Sequence, residues 1–83
     1  MKHPLLRTSF FIRSARRIIR KNPTVIGDIG TALHLLAEDA FHPFLKSHKL
    51  KGKMEGSWAC SAGYDLRIIF EFGTVRRVRS YPP

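Results

Sequence analysis

A histidine stands at the head of an alternating row of lysines in the stretch SHKLKGKMEGSW. Lys49, Lys51 and Lys53 are each separated by one residue, so on an extended chain they would share one face at a spacing of about 6.6 Å. Such a row can bind a phosphate group while His48, the residue type that most often acts as an acid or base in catalysis, takes or gives a proton. The same spacing is also typical of a strand edge that is protected from aggregation by its charges. Both interpretations remain open at this stage.

An aspartate and an arginine lie farther along the chain, in the run YDLRIIFEF. Its period of two predicts a strand with one apolar face, made of Leu66, Ile68, Phe70 and Phe72. Because that face must cover the helices, Arg67 is predicted to point onto the open face of the sheet. There its planar fork can bind a phosphate or pair with an acid across the sheet. Asp65, beside a turn near Gly63, can orient His48 or a water, or bond its own backbone.

The segment TSFFIRSARRIIRKNP predicts a first helix with two different faces. Thr8 or Ser9 can cap its N-terminus, because a hydroxyl accepts from an otherwise unpaired amide of the first turn. Pro23 ends it by disfavouring helical geometry at Asn22. At 100° per residue, an apolar arc of about 120° contains Phe11, Ile12, Ala15, Ile18 and Ile19. The opposite face carries Arg13, Arg16, Arg17, Arg20 and Lys21. These cations form either a solvated face or a binding face, and the two interpretations carry equal weight.

The remaining elements are a second helix and two further strands. The helix is predicted from about Pro23 to Asp39, with a buried stripe at helical spacing made of Val25, Ile26, Ile29, Ala32, Leu33, Leu36 and Ala37. Pro43 makes AFHPFLKS a loop, SWACSAG is strand-like, and HPLLRT is a candidate for a short first strand. The sequence therefore predicts an α+β fold, with two N-terminal helices packed on a small, twisted, mainly antiparallel sheet and a short or incomplete C-terminal strand.

The C-terminal segment VRRVRSYPP does not continue the alternating pattern. A two-residue Gly-Thr turn within FGTV would give the pairs Phe72–Val75, Phe70–Arg77 and Ile68–Arg79. Two arginines would then stand among the apolar residues, against the pattern that a paired core strand needs. Either the register shifts or the segment is only loosely attached, and the terminal prolines cannot donate to a ladder. We therefore predict that residues 73–83 form an atypical, frayed and solvent-exposed tail.

Composition limits the class of protein. The 83 residues fit one domain, 1–83, without the run of about 18 apolar residues that a membrane span needs. Fifteen Lys and Arg against six acids give a net charge of +9, which favours a polyanionic partner, either nucleic acid or an acidic protein segment. Cys60 is the only cysteine, so the chain has no internal disulfide and fits a reducing cytoplasm. The histidines lack the spacing of a zinc site, and neither a metal nor a cofactor is expected.

One long segment resembles a known family. The stretch AFHPFLKSHKLKGKMEGSWACSAGYDLRIIFEF is similar to the RelE/ParE superfamily of toxins from type II toxin–antitoxin pairs, and most similar to the RelE/YafQ-type messenger-RNA endonucleases. The resemblance is carried by HKLKG, then GSW, then YDLRIIFEF, preceded by two helices with an Asn-Pro between them. It covers about residues 8–72.

The resemblance implies a fold, an activity and a set of site residues. Such proteins fold as two helices on a twisted, mainly antiparallel sheet, cut messenger RNA at the ribosomal A site without a metal, and are neutralised by an antitoxin. By this resemblance His48 is an acid or base, Asp65 matches a functional aspartate, and Arg67 contacts the scissile phosphate. Independently of the resemblance, their charge and position make a set of basic residues candidates for RNA binding: Lys49, Lys51, Lys53, Arg13, Arg16, Arg17 and Arg20.

The chain departs from the family pattern at its C-terminus. Such toxins continue with another apolar strand and end in a His or Arg and an aromatic residue that complete the site. Here GTVRRVRSYPP stands in that place, without a histidine, and Tyr81 matches only loosely. Two alternatives to an RNA-cleaving toxin therefore stay open. One is a catalytically impaired relative that only binds antitoxin or RNA, and the other is a ParE-like inhibitor of DNA gyrase.

Overall fold

The expected α+β architecture is confirmed in the computed structural model, which describes residues 5–52, 56–63 and 65–80. Within these ranges two helices pack on one face of a five-stranded sheet. The elements in chain order are β1 (Leu6–Arg7), α1 (Ser9–Lys21), α2 (Val25–Glu38), β2 (His48–Lys49), β3 (Trp58–Ala62), β4 (Leu66–Glu71) and β5 (Thr74–Ser80). A short 3-10 turn, Pro43–Leu45, lies in the loop before β2.

The sheet is mainly antiparallel, as the sequence predicted. Its strand order is β1-β5-β4-β3-β2. The three pairs from β2 to β5 are antiparallel, whereas β1 pairs in parallel with β5 through Leu6 and Arg7. The suggested first strand within HPLLRT is therefore present, and it forms one edge of the sheet.

Both helices lie close to their predicted bounds. Thr8 caps α1, because its Oγ1 accepts a hydrogen bond from the amide of Phe11 at 3.0 Å. The same hydroxyl donates to the carbonyl of Arg76 in β5 at 2.7 Å, so the cap also ties the helix to the sheet. At the other end, the Asn22 amide donates to Ile18 before Pro23 prevents the helix from continuing.

The core lies between the helices and the inner face of the sheet. Each helix buries a narrower stripe than predicted. α2 buries Val25, Ile29, Ala32 and Leu36, at successive spacings of four, three and four residues. Ile26 and Ile12 each directly follow a buried residue in the chain, Val25 and Phe11, and they are 61% and 39% exposed. Their predicted burial is therefore wrong, because a two-helix layer contacts the sheet through only one strip of each helix.

The prediction of a frayed tail is also wrong for residues 73–80, whereas residues 81–83 lie outside the described part of the chain. Residues Thr74–Ser80 form β5, which pairs with β4 along its length. The turn from β4 consists of Phe72 and Gly73, one residue earlier than predicted, because Glu71 pairs with Thr74. Gly73 has φ +90°, a conformation that glycine adopts without steric cost.

A β-bulge gives β5 a register that its alternation does not predict. Phe70 pairs with Val75 and Ile69 with Arg77, so Arg76 is the extra residue on β5. The bulge allows Val75 and Val78, three residues apart, both to pack in the core, where they are 0% and 3% exposed. Arg77 and Arg79 consequently belong to the opposite, open face. The extra residue therefore places two cations on the face that carries Arg67.

Candidate active site on the open face of the sheet

A depression of about 210 Å³ lies on the face of the sheet opposite the helices. Its lining residues are His48, Leu50, Ala59, Arg67, Ile69, Arg79 and Ser80. Ala59 and Ile69 are each only 3% exposed, although neither belongs to the core under the helices, so they give the depression an apolar floor. Two of the predicted site residues, His48 and Arg67, therefore line one cavity.

Sheet register determines the separation of these two side chains. His48 is opposite Ala59, and Ala59 is opposite Ile69, so His48 and Ile69 lie two strands apart, about 9.6 Å. Arg67 is two residues from Ile69 along β4, which adds about 6.7 Å at a right angle. The Cα atoms of His48 and Arg67 are thus about 12 Å apart by this geometry. That distance leaves room for a phosphodiester between an imidazole and a guanidinium.

The backbone beside His48 orients its imidazole. The Nδ1 atom of His48 lies 3.2 Å from the carbonyl oxygen of Lys46. Because a carbonyl can only accept, Nδ1 carries the proton in this contact, and Nε2 then holds the lone pair of the neutral ring. Lys46 itself has φ 50° and ψ 45°, a left-handed conformation that is uncommon for a residue with a Cβ. The unusual backbone thus points a carbonyl at the side chain that the sequence predicted to act as acid or base.

Two arginines face each other across β4 and β5. Arg67 and Arg79 are direct cross-strand partners, and like charges in that position destabilise a sheet. Arg67 Nη1 also donates to the carbonyl of Leu66 at 3.1 Å, which fixes part of its fork. A pair of guanidiniums at the edge of an apolar-floored depression is well suited to bind an anion.

Arg79 is a site residue that the sequence interpretation missed. The predicted frayed tail excluded it, and simple alternation placed it among the core residues. The signal that could have revealed it is the spacing of Val75 and Val78 around the doublet Arg76-Arg77. Two apolar residues separated by two polar residues at the end of a sheet are typical of a bulged strand.

Asp65 lies in a different cavity from His48. It borders a cleft of about 730 Å³ between α1 and the C-terminal half of β5. Since β3 and β4 are joined through the turn that contains Asp65, this residue is at the end of the sheet, whereas His48 is one strand beyond β3. His48 and Arg67 therefore line one cavity and Asp65 lines another, and the functional role of Asp65 stays a prediction.

The lysine row does not continue as a strand. The segment β2 ends at Lys49, and Gly52 has φ +72°. Lys49 pairs with Trp58, and its Nζ lies 5.7 Å from the Trp58 ring centre, on the face opposite His48. Lys51 is exposed, and Lys53 lies outside the described residues. Within the described residues the strand thus includes only the first lysine of the row, and both the complete row and RNA binding by these lysines stay predictions.

The helical arginines divide between two sides of α1. Arg13 and Arg17, one turn apart, line the 730 Å³ cleft, and the guanidinium of Arg13 also stands 5.0 Å from the Phe10 ring centre. Arg16 and Arg20 are exposed and line neither this cleft nor the open-face depression. RNA binding by these four residues stays a prediction.

Cys60 and the His, Asp and Glu side chains are also groups that could act as a nucleophile or as metal ligands. Cys60 is completely buried, and this burial raises the pKa of its thiol to about 11. The described residues contain no cluster of three or more His, Cys, Asp or Glu that could hold a metal ion. Neither α1 nor α2 is long and apolar enough to cross a bilayer.

Solved structures match this chain in fold. No family model and no curated protein matches it. The YoeB/ParE toxin from Agrobacterium tumefaciens superimposes with a TM-score of 0.77 at 18% identity, covering 94% of this chain and 98% of that one. YafQ from E. coli strain BL21(DE3) gives 0.76 at 14% identity, with coverages of 96% and 94%. The YoeB–YefM complex from Staphylococcus aureus gives 0.73 at 12% identity, with 98% and 99%.

Each superposition covers at least 94% of both chains. They confirm the fold that the resemblance implied. The chain therefore has the fold of the RelE/ParE superfamily of toxins.

Proposed function

We propose that this chain is the toxin of a type II toxin–antitoxin pair and cleaves messenger RNA on the ribosome without a metal ion. The observation that carries the proposal is the open-face depression, where His48, Arg67 and Arg79 surround an apolar floor. An acid–base group and cations beside the phosphate are the groups that metal-free RNA cleavage requires. The shared fold with YoeB and YafQ toxins supports the same class of function.

The proposed reaction is a transesterification. His48 Nε2 takes the proton of a ribose 2′-hydroxyl, and the 2′-oxygen attacks the adjacent phosphorus. Arg67 and Arg79 bind the non-bridging oxygens, on which negative charge develops in the transition state. The bond between phosphorus and the 5′-oxygen breaks, and that oxygen takes a proton from water in the open depression. The hydroxide that remains takes the proton held by His48, which returns the imidazole to its neutral form. The products are a 2′,3′-cyclic phosphate and a free 5′-hydroxyl.

Arg79 supplies the C-terminal cation that the proposed mechanism needs. The family pattern ends in a His or Arg, and here no histidine follows Arg67. Because the bulge at Arg76 brings Arg79 opposite Arg67, an arginine at the end of β5 lies beside the same depression. This arrangement favours a catalytic chain over one that only binds.

An antitoxin is the proposed regulator of this activity. YafQ is found in the E. coli DinJ–YafQ toxin–antitoxin complex, whose match to this chain has a TM-score of 0.74 at 13% identity. By analogy, we assign this chain an antitoxin partner that holds it inactive until the partner is removed. Its net charge of +9 suits an acidic partner as well as RNA.

Induction in a bacterial host tests the proposal. We expect growth arrest and cleavage of translated messenger RNA, with both lost in His48→Ala and in Arg67→Ala, since a general base contributes about 10²–10⁴-fold and one oxyanion-stabilising group about 10²–10³-fold. His42→Ala is the matched control, because His42 caps the 3-10 turn, where its Nδ1 accepts from the Phe44 amide, and it does not line the open-face depression. Far-ultraviolet circular dichroism of each purified variant checks that the fold is retained.

Three outcomes separate the candidate functions. Cleavage that persists in both variants rejects the site assignment. Binding to ribosomes or antitoxin without any cleavage by the unaltered chain identifies the catalytically impaired alternative. Growth arrest accompanied by a DNA-damage response, with intact messenger RNA, identifies gyrase inhibition instead.

A further inference from the structure

We propose that the cleft between α1 and the C-terminal half of β5 is the docking site for an extended acidic segment of a partner polypeptide, and that its occupancy acts on Arg79. The cleft measures about 730 Å³, within the usual range of about 300–1,000 Å³ for ligand-binding clefts. The docking surface is separate from the open-face depression, although the two share a border. The regulatory part of the proposal rests on the proposed function, whereas the docking part does not.

The cleft is strongly basic. Arg13, Arg17 and Lys21 follow one another at intervals of four residues, so they form a single row along α1, and all three line the cleft. Arg77 and Arg79 line it from β5. Asp65 is the one acidic residue among the described residues that line it. Five cations against one carboxylate attract an anionic segment and repel a basic one.

The walls of the cleft favour a polypeptide over RNA. Phe10, Ile18, Val25, Leu66 and Val78 also line it, and the Phe10 side chain is 60% exposed. Apolar side chains of a peptide can bury this surface between the cationic positions, whereas the backbone of a nucleic acid offers only charged phosphates and sugars. Alternating acidic and apolar side chains therefore suit the cleft.

The edge of β5 provides a second reason for a peptide. Among the described residues β1 pairs only with Thr74 and Val75, so a neighbouring strand does not cover the later part of β5. The Val78 amide donates instead to Ser14 Oγ at 2.9 Å, and beyond it the strand borders the cleft. Thr8 and Ser14 already occupy the Arg76 carbonyl and the Val78 amide, so an extended segment can form backbone hydrogen bonds only with the strand beyond Val78, with side-chain pockets giving specificity.

Arg79 connects the cleft to the candidate active site. It lines both the cleft and the open-face depression, as does Ser80. A carboxylate seated at the β5 end of the cleft would pair with the Arg79 guanidinium and reduce the cationic charge opposite Arg67. An acidic segment could thus inhibit the proposed reaction without entering the depression.

Fluorescence anisotropy tests the docking site. The probe is a fluorescein-labelled peptide of about eight residues that alternates glutamate and leucine; extended, it reaches about 26 Å, more than the about 20 Å length of α1. The test variant is Arg13→Gln with Arg17→Gln, and the matched control is Arg16→Gln with Arg20→Gln. Both remove two charges from α1, but only the first pair lines the cleft. We expect at least about a tenfold loss of affinity in the test variant and less than about threefold in the control.

The other outcomes overturn the docking site. Equal losses in both variants mean that the peptide binds the general charge of the helix. Failure of the unaltered chain to bind the peptide at about millimolar concentration also rejects the site. The third outcome uses a labelled oligouridylate. If its affinity falls in the Arg13→Gln, Arg17→Gln variant while the affinity of the peptide does not, the cleft binds RNA and not a polypeptide.

A cleavage assay tests the action on Arg79. We expect the peptide to inhibit messenger-RNA cleavage by the unaltered chain and to inhibit the Arg13→Gln, Arg17→Gln variant at least about tenfold less well, relative to the activity of each variant without peptide. Saturating peptide that leaves cleavage unchanged refutes the coupling. If the unaltered chain does not cleave at all, the proposed function fails, while the binding measurements still decide the docking site.

Discussion

Replacing Val78 with alanine tests whether β5 is a paired core strand that carries Arg79 to the site. The Val78 side chain is 3% exposed and packs in the core under the helices. Alanine removes two buried carbon groups, a transfer loss of about 1.6 kcal/mol at about 0.8 kcal/mol each. The cavity that remains raises the expected cost to about 2–3 kcal/mol. A chain of 83 residues has a free energy of unfolding of only about 4–12 kcal/mol, so the loss is a large share of it.

Urea unfolding measures this cost. Circular dichroism reports the helices, and the fluorescence of Trp58, the single tryptophan, reports the sheet. The expected loss corresponds to a fall in Tm of about 10–20 °C for a domain of this size. Arg79→Ala is the adjacent control, because its side chain is exposed and surface changes usually stay within about 0.5 kcal/mol.

Ser14→Ala provides an independent measurement of the same strand. The Ser14 hydroxyl accepts the hydrogen bond of the Val78 amide, and its removal should cost about 1–3 kcal/mol by leaving a largely buried amide unpaired. A loose tail predicts almost no change for either variant. Losses below about 0.5 kcal/mol in both would refute the register of β5 and, with it, the position of Arg79.

Three further predictions follow from individual residues. Gly63→Ala should destabilise the chain more than Gly73→Ala in urea unfolding. Both glycines have a positive φ, but only at Gly63 does an added Cβ meet another side chain, that of Asp28. The shared conformational cost is about 1–2 kcal/mol, and a similar cost in both variants would mean that Asp28 moves aside freely. Burial raises the pKa of Cys60 from 9.0 to about 11, so its contribution to the free energy of unfolding is fully present below pH 9 and falls by about 2–3 kcal/mol as the pH rises toward 11. In Cys60→Ala the free energy of unfolding should depend less on pH in this range, and an unchanged slope would contradict the raised pKa. Thr8→Ala should cost about 1–2 kcal/mol in thermal unfolding, since it removes the cap of α1 and the bond to β5, and a cost near zero would show that the cap has little effect on stability.

The sequence was sufficient for the parts of the fold that depend on regular periodicity. Two amphipathic patterns predicted both helices, and alternation in β4 placed Arg67 on the open face, because both features depend only on residue spacing within one element. The proximity of His48 and Arg67 followed from a family resemblance rather than from spacing. Sheet register explains this proximity physically. His48 lies level with Ala59 and Ile69 across the sheet, and Arg67 is two residues from Ile69 on the same face of β4.

Features that depend on pairing between elements could not be predicted from the sequence. Arg79 changes face because one extra residue at Arg76 interrupts the alternation, and only the partner strand shows where such a bulge lies. Asp65 is close to Arg67 in sequence, yet its direction depends on the turn at the end of the sheet. The lysine row also depends on pairing, and within the described residues only Lys49 of the row lies in a paired strand.

The opposed arginines link stability to the proposed function. In the unoccupied chain Arg67 and Arg79 face each other directly, a repulsion of about 0.2–1 kcal/mol. An anion bound between them offsets that repulsion, and any ligand of the folded state raises its stability by mass action. Under our proposals a phosphate group reaches Arg79 from the depression and an acidic segment reaches it from the cleft. Since one guanidinium cannot fully pair with both, substrate and partner should weaken each other's binding even though they occupy different cavities.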